Sequence, residues 1–325
     1  MEPVAARAVV RVDVSDVAPP GCKQLAFEVI STTADSQPKA ILFCFPGGGM
    51  NRRYFDLAAP GYSFAQYATG RGFLVVLVDH PGIGDSDAPD DGWTLTPQVV
   101  ASIEAAAADR LLARLHTGDT PVIGIAHSMG ASLLIHQQAL RTAQGNNTIK
   151  GIALLGWAGH GLPQYLDEQD LALGERGHID PAALLESARN RFNNDPFPVL
   201  QRGGSQLLMP NPVPPDAHQA LVAARAPLLA LPGHATLIPG NARRAAAAID
   251  IPVFLGVGEN DIATNHRLIP NEFPASRDIT LFILDGAGHN QNVEPGRHEL
   301  WERVTSWADQ LASRRNDTTW VSSTA

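Results

Sequence analysis

Cysteine is nearly absent: Cys22 and Cys44 are the only two in 325 residues. A disulfide framework is therefore not what holds the chain together, and no Cys/His spacing matches a zinc site. Cys44 falls inside an apolar run and reads as a buried, inert thiol. Positive charge is also short, with 24 Lys and Arg against 33 Asp and Glu and a formal net charge of −9. Chains that grip a phosphate backbone or an anionic bilayer carry a basic surplus, so neither nucleic acid nor a membrane is an expected partner. A small neutral or weakly polar molecule fits better. No apolar run approaches the length needed to cross a bilayer. The opening MEPVAARAVVRVDV lacks an apolar segment behind a basic start, so no signal peptide is read there and a cytoplasmic location is expected. The sequons at Asn147 and Asn316 read as chance occurrences in that setting.

What is present is the composition of a soluble globular protein, 44% hydrophobic and 18% charged, long enough for one large α/β domain with an insertion or for two ordinary domains. The runs at 8–14 and 23–31 alternate apolar with polar, as half-exposed antiparallel edge strands would. Those at 40–45, 73–79, 121–126, 150–156, 251–258 and 279–286 are nearly continuous apolar blocks, as strands buried on both faces should be. Helices are expected at about 63–71, 97–116, 129–143 and 297–314, the second opened by Thr96 as cap and Pro97 in the first turn. A mostly parallel sheet covered by helices on both faces follows from this alternation. Residues 158–245 break the rhythm, rich in Pro, Gly and Asn with short helical pieces, and PNPVPP at 210–215 reads as a loop. We expect an insertion lying over one end of the sheet as a cap or lid, with a first core part at 1–157, a second at 246–314 and a flexible tail at 315–325.

Chemistry is suggested first by AHSMG at 126–130, set between a buried-strand pattern and an Ala/Leu-rich helix. Small residues two positions either side of Ser128 permit a sharp strand-to-helix bend with the hydroxyl at its tip, whereas the alternative is a serine acting as an ordinary helix cap. A serine hydroxyl needs a base at neutral pH. Among the eleven histidines, His289 lies in a Gly-rich turn after the last apolar strand, while His116, His136, His218 and His298 read as structural or surface residues. An acid must hold the base's tautomer, and GENDIAT supplies Asp261, with Glu259 as rival. Asp261 is preferred because three residues beyond Gly258 leave the turn room to swing toward His289. For the oxyanion, FPGGG at 45–49 follows a buried strand, and the amides of Gly48 and Met129 are the expected donors. The G-x-G within DHPGIGDSD has no apolar helix behind it, so no dinucleotide fingerprint is read, and PGGGMNRR lacks the Gly-Lys-Ser/Thr ending of a phosphate loop.

With FPGGG, DHPGIGDSD, AHSMG, GENDIAT and GAGHN in this order, the chain resembles the α/β-hydrolase superfamily over most of residues 23–157 and 245–314. The resemblance implies an α/β-hydrolase fold of about eight strands, a central nucleophile, and a cap inserted after the sixth strand. Two departures are Phe45 and Pro46, where many members carry a histidine before the first glycine, and Ala126 in the elbow.

The expected activity is hydrolysis of a carboxylic ester or lactone of a small molecule through an acyl-enzyme on Ser128, with no metal or organic cofactor. The same three side chains would also serve hydrolysis of an amide, or of a carbon–carbon bond beside a ketone, the difference lying in how the cap orients the leaving group. Trp93, Trp157, His160 and His178 are candidates to line its pocket, packing or surface being the alternative for each. A third reading is a hydrolase-like binding protein that has lost catalysis. Oligomeric state is not indicated by the sequence.

Overall fold

The computed structural model describes residues 6–31, 37–175, 179–200, 208–263 and 265–314. The expected tail at 315–325, the sequon at Asn316 and His178 lie outside them. Eight strands form one sheet: β1 Ala6–Asp13, β2 Gln24–Ser31, β3 Ile41–Phe45, β4 Leu74–Val78, β5 Val122–His127, β6 Ile149–Leu155, β7 Val253–Gly258 and β8 Ile279–Leu284. Their spatial order is β1-β2-β4-β3-β5-β6-β7-β8. β2 runs antiparallel to both β1 and β4, and the remaining neighbours are parallel. This is the α/β-hydrolase fold, with β5 at the heart of the sheet.

The continuous apolar runs are explained by the two-residue period of a strand. Ile41, Phe43 and Phe45 of β3 enter one core, whereas Leu42 and Cys44 enter the other. β4 divides the same way, Leu74, Val76 and Val78 against Val75 and Leu77. Helices α1 Phe64–Thr69, α2 Pro97–Leu115 and α3 Met129–Ala143 cover the sheet. Ile103 and Leu111 of α2 and Leu133 and Leu134 of α3 build the first core. Phe64 of α1 belongs to the second. The Thr96 hydroxyl accepts the Val99 N–H at 3.2 Å and Pro97 occupies the first turn of α2, as the sequence indicates.

Between β6 and β7 the chain makes α4 Glu168–Glu175, α5 Pro181–Arg191, α6 Pro215–Ala223, α7 Ala230–Leu237 and α8 Arg243–Ala247. α5 and α7 share a small separate core of Leu184, Ala188, Ala230, Leu231 and Ala235, closed by Trp93. Ala246 of α8 joins the first sheet core instead. The last helix, α9 Arg297–Ser313, lays Trp301, Trp307 and Leu311 into the second core.

Two strand expectations are corrected. β2 is not an edge strand: it is hydrogen-bonded on both sides, and its run from Leu25 to Phe27 is buried, with Leu25 and Phe27 packed into the first core. β8, expected to be buried on both faces, is the opposite edge, and five of its six residues are half-exposed.

Candidate active site

The chain turns from β5 to α3 within one residue, and that residue is Ser128 at φ 53°, ψ −118°. A side chain at positive φ is strained and persists only where its surroundings over-determine it. Here the Ser128 N–H donates to the Leu155 carbonyl at 2.8 Å, and its own carbonyl accepts from Ala131 at 3.0 Å and Ser132 at 3.3 Å. The hydroxyl makes no capping bond to α3, which removes the helix-cap alternative. It lies instead 2.9 Å from His289 Nε2. Gly130 allows this packing, because a Cβ there would stand 2.3 Å from the Pro46 oxygen and 2.7 Å from that of Phe45.

His289 follows β8 on a turn that packs against the end of β7, so tightly that a Cβ on Gly258 would sit 2.3 Å from the Gly288 oxygen. Its Nδ1 is 2.8 Å from Asp261 Oδ1. Asp261 also accepts from Gln291 Nε2 at 3.0 Å and from the Ala263 amide at 3.3 Å. Burial by itself would raise the Asp261 carboxyl, but the charge and hydrogen bond of His289 outweigh it and hold the group below the ordinary carboxylate range. Glu259 is exposed and accepts the Gly286 N–H at 2.9 Å, so the rival acid is a turn brace. The structure thus brings together Ser128, His289 and Asp261, with Asp261 behind the imidazole and the hydroxyl in front.

His127, beside Ser128 in sequence, has a place that sequence reasoning missed. Its ring lies between Tyr54 and His289, with centroids 4.7 and 4.8 Å away. Burial, aided by the neighbouring His289, pushes the His127 imidazole down to about 3. The ring is therefore neutral, and since a carbonyl only accepts, its Nε2 carries the hydrogen bonded to the His289 oxygen at 2.9 Å. That bond fixes the backbone from which the His289 ring projects.

The glycine loop approaches from β3. A Cβ on Gly47 would meet His127 Nδ1 at 2.7 Å and Ser128 Cβ at 3.1 Å, so only glycine brings this backbone up to the elbow. Among the described residues neither the Gly48 nor the Met129 N–H donates a hydrogen bond. The DHPGIGDSD motif supports the loop from below. His80 Nε2 holds the Pro46 carbonyl at 2.9 Å while Nδ1 meets the buried Glu104 carboxylate. Burial alone would lower the His80 imidazole, but Glu104 overrides it and the net direction is up. Asp79 accepts the Arg52 amide at 2.8 Å and pairs with the Arg52 guanidinium, tying the other end of the loop to the same turn.

Gly47, Gly48, Ser128 and His289 open into a cavity of about 1140 Å³ whose far wall comes from the segment between β6 and β7. Trp93, Trp157 and His160 do not line it. Trp157 is buried against Phe273, Trp93 packs with α5 and α7, and His160 faces Glu272 at 3.5 Å. Another serine, histidine and aspartate meet between α4, α5 and α7, but Ser187 and Asp170 both approach the same nitrogen of His234, at 2.7 and 3.1 Å. Among the described residues His234 Nδ1 has no partner and no acid stands behind it, so this cluster fastens helices together and is no relay. Among the described residues no group of three or more His, Cys, Asp or Glu side chains is arranged to hold a metal ion.

Known structures share this frame. A monoacylglycerol lipase from Paleococcus ferrophilus superposes with a TM-score of 0.60 at 19% identity, over 95% of this chain and 99% of its own. A thermostable carboxyl esterase from Bacillus coagulans gives 0.64 at 16%, over 95% and 100%. A proline iminopeptidase from Mycobacterium smegmatis gives 0.60 at 18%, over 95% and 100%. At such identities the likeness concerns the fold, and it spans proteins named for different bonds. No curated protein matches in sequence. Residues 41–300, which carry the glycine loop, the elbow, the acid turn and the histidine turn, match the alpha/beta hydrolase family, and to that family the chain belongs.

Proposed function

We propose that the protein is a serine hydrolase that cleaves a carboxylic ester or lactone of a small molecule through an acyl-enzyme on Ser128. One observation carries the reading: the hydroxyl of Ser128 is 2.9 Å from His289 Nε2 while Nδ1 of the same ring is 2.8 Å from Asp261. A base oriented by a buried carboxylate, on a serine whose backbone is held in a strained turn, is the arrangement nucleophilic acyl transfer requires.

In the first half-reaction Ser128 Oγ attacks the carbonyl carbon as His289 Nε2 takes its proton. The oxyanion so formed is held by the N–H groups of Gly48 and Met129, and it collapses as the imidazolium protonates the departing alkoxide. Water then attacks the acyl-serine, gives its proton to Nε2, and the collapse returns that proton to Ser128 Oγ with release of the carboxylic acid. Asp261 keeps the hydrogen on Nδ1 and stabilises the imidazolium without taking the proton. Residues 158–245 act as the cap that selects the substrate, since Leu162, Phe192 and Leu237 face the nucleophile across the cavity.

Replacing Ser128 with alanine tests this. Turnover of a short-chain aryl ester is expected to fall by at least about 10³-fold, and labelling by a fluorophosphonate to disappear. Unchanged turnover would remove the proposal. Product analysis over esters, lactones, amides and diketones separates the ester reading from the other two bonds. Absence of labelling in the unmodified protein would favour the binding-protein reading.

A further inference from the structure

The cavity above Ser128 is lined mainly by apolar side chains, yet two arginines, Arg191 and Arg225, reach it from the segment between β6 and β7. They differ in what already holds them. Arg191 donates to the Tyr165 carbonyl at 3.0 Å and has the Asp170 carboxylate 3.8 Å away. Arg225 is half-buried, and among the described residues its Nε, shielded from solvent, has no hydrogen-bond partner. Among the described residues no carboxylate pairs with it, and residues 201–207, which join the lining residues Leu200 and Leu208, contain no acid. Among the described residues the one carboxylate lining the cavity, Asp195, is exposed and accepts the Phe197 amide at 2.9 Å. A guanidinium partly removed from water with an unmet donor is unfavourable unless a ligand supplies the acceptor. By comparison, the buried Arg52 is met by Glu28, Asp79 and Asp85, and the buried Arg141, whose Nε also lacks a partner among the described residues, still pairs with Asp109.

Its placement is also fixed. Met50 and Arg225 form an antiparallel bridge, the Ala226 N–H donates to the Gly49 carbonyl at 2.9 Å, and the Asn51 N–H donates to Ala224 at 2.9 Å. The backbone bearing Arg225 is thereby attached to the glycine loop itself, so its side chain and the oxyanion donors share one wall. Guanidinium binds carboxylate through paired N–H···O bonds, and Arg225, the lining cation without a carboxylate partner among the described residues, suits a monoanion.

Resting on the hydrolase reading above, we propose that the substrate carries a free carboxylate in addition to the bond that is cleaved, and that Arg225 binds it; the monoester of an aliphatic dicarboxylic acid is the simplest member of that class. The apolar lining takes the methylene chain, Arg225 the carboxylate, and Ser128 the ester carbonyl at the other end.

The test is a binding measurement that does not need turnover. Ser128→Ala protein is titrated calorimetrically with the monomethyl and the dimethyl esters of succinate, adipate and suberate, and the titrations are repeated with Arg225→Gln and Arg225→Lys added. For at least one chain length the monoester should bind about 10- to 100-fold tighter than its diester, the range expected for a charge-assisted pair. Arg225→Gln should abolish that preference, Arg225→Lys should keep part of it, and added salt should weaken the monoester alone. Equal binding of the two esters, no measurable binding of any monoester, or a preference that survives Arg225→Gln would each overturn the proposal. Fluorophosphonate labelling of unmodified protein reports separately on Ser128. A reactive serine with no monoester preference sinks the carboxylate inference alone, and an unreactive serine with that preference intact sinks the hydrolase reading alone.

Discussion

At the scale of single residues, charge on Asp261 matters more than its hydrogen bond. The amide introduced by Asp261→Asn keeps the size of the side chain but can no longer offset the imidazolium or enforce the hydrogen on Nδ1. Ester turnover by this variant should therefore fall by about 10²- to 10⁴-fold, with fluorophosphonate labelling slowed in parallel and a melting temperature close to that of the parent. A variant retaining more than half the parent turnover would mean that Asp261 does not assist the base. Ser128, His289 and Asp261 could be singled out in the sequence because each lies in the turn that follows an apolar run, and the carboxyl ends of parallel strands meet at one rim. His127 and Arg225 could not. His127 acts on the backbone of a residue 162 positions away, and Arg225 is notable for an Nε with no partner among the described residues, which only three dimensions reveal.

At the scale of elements, the junction of β3, β5 and α3 depends on glycine for close approach. Gly130→Ala would drive a Cβ to 2.3 Å from the Pro46 oxygen, and the clash is with backbone, so the loop must move or α3 must tilt. Overpacking of this kind costs about 1 to 3 kcal/mol, and the displaced group is the peptide that opens the glycine loop. We expect Gly130→Ala to lower stability in urea denaturation by that amount and, in the folded protein at low temperature, to reduce turnover about 10-fold or more. A variant as stable and as active as the parent would show that elbow and loop are not mechanically joined. The strands themselves were readable because the two-residue period places apolar residues on both faces of β3, β4 and β5. The same rule misplaced β2 and β8, since a run of apolar residues records what covers a strand's faces and says nothing about whether its edges are paired. The segment between β6 and β7 resisted reading for another reason: its helices are short, and their apolar residues divide between a small core of α5, α7 and Trp93 and the two sheet cores that α6 and α8 join.

At the scale of the whole molecule, the buried imidazoles give stability a pH dependence that a His127 variant can single out. Burial, with help from His289, pushes His127 down to about 3, and burial pushes His136 down to about 4, from an ordinary 6.5. Between those values the unfolded chain binds protons that the folded chain refuses, so stability must fall as pH falls below about 6.5. His234 and His298 are shifted in the same direction, chiefly by burial. His80 is shifted the other way, so its stabilisation is complete below about 6.5 and is lost only as pH rises through its raised value. Carboxyls held low, such as Asp261 and Asp85, lose their contribution only at more acid pH, as it falls through their depressed values. Glu294 is shifted up, chiefly by burial, so its contribution grows as pH falls through its raised value and opposes the histidines, and the interval from about pH 6.5 to about pH 5 reports on the depressed histidines less that share. Across it His127 should remove on the order of 2 kcal/mol at about 1.4 kcal/mol per pH unit, and the half-exposed His136 less. Equilibrium denaturation at several pH values in this interval measures the slope directly. Replacing His127 by phenylalanine, which preserves the stack on Tyr54 but cannot bind a proton, should flatten the curve by His127's share while costing stability at neutral pH through the lost bond to the His289 carbonyl. A His127→Phe protein whose slope across this interval equals that of the parent would contradict the neutral, buried state assigned to the imidazole beside Ser128.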